Sequence, residues 1–89
     1  MANLSRIPRI SFIGGGVMAE AIISRVISEN LIAAKYIRVG EPNEQRRSLL
    51  EEKYLVHTTG DNIDAVEDSD LIFLSVKPQD LENVLEELT

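Results

Sequence analysis

The residues best suited to chemistry form one glycine-rich stretch, Gly14-Gly15-Gly16-Val17-Met18-Ala19. It fits the pattern G-x-G-x-x-A, in which the first glycine makes a tight turn and the second lets the backbone approach a pyrophosphate. Gly14, Gly16 and Ala19 fill the three defined positions, and Gly15 is left as a spare. A helix that begins here would direct unpaired N–H groups and a positive dipole end at the phosphates. The stretch therefore predicts a dinucleotide cradle.

Two other interpretations of this stretch stay open. Three glycines in a row also suit a flexible or tightly packed turn that binds nothing. A methyltransferase also has glycines after its first strand and an acid after its second, although a glycine would be preferred where Met18 stands. The neighbouring residues favour the cradle, because residues 9–13 are typical of a buried strand and residues 17–29 of a helix.

An acidic residue follows the second predicted strand, where dinucleotide-binding folds hold the adenosine ribose. Glu41 lies 27 residues after Gly14, further than the usual spacing of about 20. Its carboxylate would bind the ribose hydroxyls and repel a 2′-phosphate, which favours NAD. Arg46 and Arg47 would reach such a phosphate from the next helix, unless they form only a solvated face. The choice between NAD and NADP therefore stays open.

The stretch Ser75-Val76-Lys77-Pro78-Gln79 follows the fourth predicted strand. It lies at the carboxyl edge, where open α/β sheets bind their ligands, so we expect it to border a cofactor. The alternative is that Pro78 only ends the strand and Lys77 only covers the surface. His57, on a short strand, is interpreted as a structural residue.

These motifs sit in an alternating order of elements, βαβαβαβα, with short connections. The order predicts an α/β fold, a Rossmann-like doubly wound parallel sheet with right-handed crossovers. The fourth strand is apolar on both faces, as a central strand is. Residues 1–89 form one domain that looks truncated after its last helix. The predicted strands are 9–13, 36–39, 55–58 and 71–76, and the helices are 17–29, 44–53, a single turn at 63–66, and 80–88.

Composition excludes several classes of function. The chain has 89 residues, a net charge of −6, no cysteine and one histidine. Disulfides and thiolate metal sites are ruled out, and a histidine-based metal centre is not expected. The acidic charge argues against nucleic acid as a partner. No apolar run has the length of a membrane span or a signal peptide, so we expect a cytoplasmic protein without a membrane partner.

Taken together, the motifs resemble the N-terminal domain of the pyrroline-5-carboxylate reductase family. That resemblance implies hydride transfer from reduced NADP or NAD to the C=N bond of 1-pyrroline-5-carboxylate, giving L-proline in proline biosynthesis. The matching blocks are residues 12–19, Glu41-Pro42-Asn43 with Arg46-Arg47, Asp61-Asn62 and Ser75-Val76-Lys77-Pro78-Gln79.

The resemblance also implies a set of cofactor-binding residues. Two departures matter: Val17 stands where the family commonly has asparagine, and Glu41 conflicts with a frequent preference for NADPH. The residues at the pyrophosphate are Ile13, Gly14, Gly15, Gly16, Val17 and Met18. Glu41 lies at the ribose, and the residues further along are Asn62, Ser75, Val76, Lys77 and Pro78.

Family members carry a C-terminal helical domain that holds the substrate and forms the homo-oligomer, and none of it is present. The catalytic residues are therefore unknown, and we expect these residues alone to bind a dinucleotide weakly without turnover. The alternatives are a free-standing NAD(P)-binding module without catalysis and a related dehydrogenase. A related dehydrogenase would not be expected to carry both the Glu-Pro-Asn and Val-Lys-Pro-Gln motifs, and a longer natural reading frame would favour the reductase over the module.

Overall fold

The computed structural model describes residues 8–89, in which a four-stranded parallel sheet carries helices on both faces. The expected α/β Rossmann-like fold is confirmed. Residues 1–7, the start of the predicted domain, lie outside the described residues. The elements are β1 (Ile10–Ile13), α1 (Val17–Ser28), a 3-10 turn (Ala34–Tyr36), β2 (Ile37–Gly40), α2 (Glu44–Tyr54), β3 (His57–Thr59), α3 (Asn62–Val66), β4 (Leu71–Leu74) and α4 (Pro78–Leu88).

The strand order β3-β2-β1-β4 brings the predicted motifs to one edge of the sheet. In the parallel register, Ile13 of β1 lies opposite Gly40 of β2 and Leu74 of β4. Those three strands therefore end level with one another. The glycine stretch, Glu41 and Ser75 each follow one of these strand ends directly, so they meet at the carboxyl edge.

Alternation along β1 builds a core on each face of the sheet. All four residues of β1 are buried, as expected for a strand with a neighbour on both sides. Phe12 packs among the buried residues of α1 and α2 and stacks on Phe73 of β4, with ring centroids 5.0 Å apart. Ile13 packs instead with Ala65 of α3 and Val84 of α4.

The buried hydroxyl of Ser11 joins β1 to α3 and to the loop that follows α3. It donates a hydrogen bond to the Ala65 carbonyl oxygen at 2.5 Å and also contacts the Ser69 hydroxyl. A buried polar group costs free energy unless it is paired, and these contacts remove that cost. Ser11 is therefore compatible with its place between two layers of helices.

The sequence predicts that the fourth strand is central. Within residues 8–89, β4 has one neighbouring strand, β1. Three of its side chains, Leu71, Ile72 and Leu74, are 49%, 39% and 42% exposed. The strand also ends at Leu74 rather than at residue 76, and Pro78 begins α4 instead of only ending β4. Proline suits that position because its φ is already helical and it needs no N–H partner there.

No helix in the described part of the chain has both the length and the apolar character to cross a membrane. The same residues contain no grouping of three or more histidine, aspartate or glutamate side chains that could hold a metal ion.

Candidate functional site

A cleft of about 460 Å³ opens at the carboxyl edge of the sheet, between the loops that follow β1, β2 and β4. Ten of the twelve predicted cofactor residues line it, and the two that do not are Gly15 and Pro78. Those ten are Ile13, Gly14, Gly16, Val17, Met18, Glu41, Asn62, Ser75, Val76 and Lys77. Three further residues of the lining, Gly40, Asp80 and Val84, were not part of the motifs.

Gly14 makes the turn out of β1 in a backbone conformation that other residues rarely adopt. Its φ is +100°, and its N–H donates to the Gly40 carbonyl oxygen at 2.8 Å. A Cβ at this position would stand 2.9 Å from the backbone oxygen of Ser75. The Ser75 hydroxyl in turn donates to the Gly14 carbonyl oxygen at 2.8 Å. Gly14 is therefore required by its turn and by close packing against the end of β4.

No contact with residues 8–89 explains why position 16 is a glycine. It is exposed and extended, with φ −79° and ψ −165°, and a Cβ built on it would meet nothing within 4 Å. It is also the N-cap of α1, and no side chain caps that helix end. Open space beside uncapped helix N–H groups is what a pyrophosphate needs. The glycine loop thus fits a dinucleotide.

Gly15 is buried beneath the loop, so its interpretation as the spare glycine is wrong. A Cβ here would stand 2.9 Å from Cδ1 of Leu50 and 3.3 Å from the Cβ of Glu41. The Gly15 N–H donates to Oε1 of Glu41 at 2.8 Å, and its carbonyl oxygen accepts from Nε of Arg46 at 2.5 Å. The motif leaves this position free, so nothing in the pattern reveals these contacts.

The Glu41 carboxylate is held in a fixed orientation beside the cleft. Oε1 accepts from the Gly15 N–H, and Oε2 accepts from the Asn43 N–H at 2.9 Å. A carboxylate has about four acceptor sites, so further donors such as ribose hydroxyls can still bind. Asn43 also caps α2 by accepting from the Arg46 N–H at 2.9 Å. Helix capping therefore keeps the segment that carries Glu41 in place.

Sequence reasoning missed Glu20, whose carboxylate joins α1 to α2. It accepts hydrogen bonds from Arg46 Nη2 at 2.7 Å, from Lys53 Nζ at 3.1 Å and from the Tyr54 hydroxyl at 2.6 Å. The bond from Tyr54 and the bonds from the two cations lower the pKa of Glu20 to about 2. Glu20 also raises the pKa of Lys53. The only sequence signal is that Arg46 and Lys53, two helical turns apart, share one face of α2.

Both arginines at the start of α2 have partners within the chain. Arg46 bonds to Gly15 and Glu20, and Nη1 of Arg47 donates to the carbonyl oxygens of Glu41 and Pro42 at 2.7 and 3.0 Å. They are therefore more than a solvated face. Arg47 lies outside the lining of the cleft.

The remaining candidate residues lie at the far wall of the cleft or away from it. Asn62 donates from Nδ2 to Oε1 of Glu87 at 3.1 Å, which ties α3 to α4 beside the cleft. Lys77 is exposed at the start of α4. His57 lines a separate surface concavity together with Arg9 and Lys35, so the structure does not bring it to the glycine loop.

Comparisons with known proteins identify a family and named relatives for this chain. The sequence model of one protein family, described as NADP oxidoreductase coenzyme F420-dependent, matches residues 9–89. A pyrroline-5-carboxylate reductase of Synechocystis sp. is 46% identical over 80 residues, which cover 90% of this chain and 30% of the relative. A pyrroline-5-carboxylate reductase of Vibrio alginolyticus is 41% identical over 80 residues, which cover 90% of this chain and 29% of the relative. These matches confirm the resemblance and the expectation of an NADP or NAD cofactor.

Two solved structures share the fold. A pyrroline-5-carboxylate reductase from Coxiella burnetii has a TM-score of 0.88 at 36% identity, over 93% of this chain and 30% of that one. The Plasmodium falciparum pyrroline carboxylate reductase with NADP bound has a TM-score of 0.75 at 20% identity. The match covers 91% of this chain and 28% of that one, and it shows the fold alone. The chain thus spans about 30% of the length of the relatives it matches.

Proposed function

Since the chain belongs to the family described as NADP oxidoreductase coenzyme F420-dependent, we propose that it is the cofactor-binding domain of a pyrroline-5-carboxylate reductase. The activity of the whole protein is then the reduction of 1-pyrroline-5-carboxylate to L-proline with NADPH or NADH. The observation that carries the proposal is Gly16, where the space beside the start of α1 is open and no contact among the described residues requires a glycine. The named relatives supply the substrate class.

The residues of this chain bind and orient the cofactor. The glycine loop and the first N–H groups of α1 hold the pyrophosphate, and the Glu41 carboxylate accepts from the adenosine ribose. Ile13 and Val76 contribute apolar atoms to the lining of the cleft. When bound, the reduced nicotinamide supplies the hydride that reduces the C=N bond.

Residues 1–89 are assigned to this cofactor domain, and no catalytic residue is assigned within it. The substrate site and the homo-oligomer contact belong, in this proposal, to a further domain, in keeping with the share of the relatives that the chain spans. We propose the cytoplasm as the location. The net charge of −6 supports a small molecule rather than nucleic acid as the partner, and no membrane partner is proposed.

The proposal is tested by titrating the 89-residue chain with NADH and NADPH while the nucleotide fluorescence is recorded. We expect saturable binding with a Kd on the order of 0.1–1 mM, because one domain supplies only part of the contacts. No oxidation of either cofactor that depends on pyrroline-5-carboxylate is expected. Absence of binding would contradict the assignment of the cleft, and turnover by this chain would contradict the assignment of the substrate site elsewhere.

Glu41 is expected to set the preference between the two cofactors. Replacing it with serine removes a fixed negative charge and should shift the ratio of NADH to NADPH affinity toward NADPH by more than about tenfold, or ~1.4 kcal/mol. Loss of the Gly15 N–H partner weakens both cofactors alike, so the ratio isolates the charge effect. Glu44→Ser is the matched control, because Glu44 is an exposed acid at the start of α2 that does not line the cleft. An unchanged ratio in Glu41→Ser would remove Glu41 from cofactor selection.

A further inference from the structure

The glycine loop is held by hydrogen bonds to the backbone N–H and the carbonyl oxygen of Gly15. The N–H of Gly15 donates to the Glu41 carboxylate at 2.8 Å, and its carbonyl oxygen accepts from the Arg46 guanidinium at 2.5 Å. Glu41 lies in the loop after β2, and Arg46 lies in the first turn of α2. Opposite charges therefore fix both polar groups of Gly15, and hydrogen bonds to charged groups are stronger than neutral ones.

Arg46 is itself oriented by Glu20. Nε of Arg46 binds Gly15, and Nη2 binds Oε1 of Glu20 at 2.7 Å. Since the guanidinium is a rigid planar fork, these two bonds fix its plane. The Arg46 and Glu20 side chains are only 26% and 20% exposed, so solvent competes little for them. Glu20 lies in the first turn of α1, which directly follows the glycine loop. Arg46 therefore links the glycine loop, through Gly15, to the start of α1, through Glu20.

We propose that Arg46, oriented by Glu20, is a positioning residue of the cradle and not a ligand of a ribose 2′-phosphate. It fixes the Gly15 peptide, and thereby sets where Gly16 and the first N–H groups of α1 stand when a pyrophosphate binds. The assignment rests on the proposed function, because it presupposes that the cleft takes a dinucleotide.

The charges around Arg46 support this role. Its guanidinium is paired with the Glu20 carboxylate, which also pairs with Lys53, and the Glu41 carboxylate stands on the other side of Gly15. Two of the five N–H donors of Arg46 are engaged by Gly15 and Glu20, and Arg46 also lines a shallow concavity beside Gly16 and Glu41. A 2′-phosphate that used the remaining donors would have to approach the Glu41 carboxylate, which repels it. A loop-positioning role keeps all of these contacts.

The decisive experiment compares three ligands on Arg46→Gln by NMR titration of the 89-residue chain. Adenosine has no phosphate, NADH adds the pyrophosphate, and NADPH adds the 2′-phosphate. We expect NADH and NADPH affinities to fall together by about tenfold or more, as removal of a charge-assisted bond predicts, while adenosine binding is unchanged. Loss of NADPH binding alone would make Arg46 a 2′-phosphate ligand, and equal loss of adenosine binding would make its role merely structural. Either result overturns the proposal.

Arg46→Lys keeps the charge but loses the planar fork. Because lysine cannot bond to Gly15 and Glu20 in the same way, we expect it to lose NADH affinity nearly as much as glutamine does. A 2′-phosphate ligand would instead tolerate lysine, so this variant carries the test if Arg46→Gln fails to fold. Arg25→Gln is the matched control, since its side chain is 77% exposed on α1 and pairs with Glu29.

The outcomes separate this proposal from the proposed function. If the wild-type chain binds neither dinucleotide, the function is overturned and the role of Arg46 with it. If the wild-type chain binds both and the Arg46 variants bind them equally well, the positioning role alone is overturned.

Discussion

Replacing Gly16 with aspartate should lower the affinity for NADH and NADPH more than about 100-fold, or ~2.7 kcal/mol, while the domain stays folded. Any residue can adopt the extended backbone of Gly16, and an added Cβ meets nothing within 4 Å. Aspartate is also a favourable N-cap, so α1 should not be destabilised. Its carboxylate, however, would occupy and repel the pyrophosphate at the helix N-terminus. Affinity is measured by fluorescence titration and folding by thermal unfolding.

Gly16→Asn is the matched control for charge. Asparagine has nearly the same size and N-cap quality as aspartate without its charge, so it tests the steric effect alone. We expect about a tenfold loss of affinity for this variant, and a Tm within about 2 °C of wild type for both, since no fold contact changes. Wild-type affinity in Gly16→Asp would show that the pyrophosphate binds elsewhere and would remove the main support for the proposed function.

Gly14→Ala, unlike the Gly16 variants, should destabilise the fold. The φ of +100° is strained for alanine, and its Cβ would stand 2.9 Å from a backbone oxygen at Ser75. That backbone is held by the bond from the Ser75 N–H to the Ile13 carbonyl oxygen at 2.9 Å, so it cannot withdraw freely. We expect a loss of about 2–4 kcal/mol and a Tm lower by roughly 10–25 °C.

Thermal and urea unfolding followed by circular dichroism measure the effect of Gly14→Ala. Gly16→Asn serves again as the control, since it adds a larger side chain two residues away at a position where a Cβ meets nothing within 4 Å. A wild-type Tm for Gly14→Ala would mean that the loop can rearrange, and the close packing between the ends of β1 and β4 would then not be essential.

The sequence was sufficient to predict the parallel α/β fold and the place of the glycine loop. Those features depend on local rules: β1 is a short apolar run, and Gly14 must be glycine because of its turn. The pairing of β4 within residues 8–89 could not be predicted in the same way. An apolar run indicates that both faces of a strand are covered, but it does not indicate which strands pair with it on either side. Leu71 and Leu74 are therefore apolar and still exposed.

The contacts that hold the loop were not predictable from spacing. Gly15 and Glu41 are 26 residues apart, and Gly15 and Arg46 are 31 apart. Their meeting depends on how α1 and α2 pack on the sheet, which no local pattern encodes. The same is true of Glu20 and its three partners. The motifs identified ten residues of the cleft lining, but they did not reveal that Glu41 and Arg46 hold the loop from below.

The bond between Glu41 and the Gly15 N–H has a consequence for cofactor engineering. One carboxylate both faces the proposed ribose position and anchors the loop that carries the phosphate-binding groups. Selectivity and affinity are therefore coupled through a single side chain. A redesign toward NADPH that only removes the charge would also release the loop. A redesigned site therefore needs a neutral acceptor within reach of the Gly15 N–H, so that the new preference is not offset by a less ordered cradle.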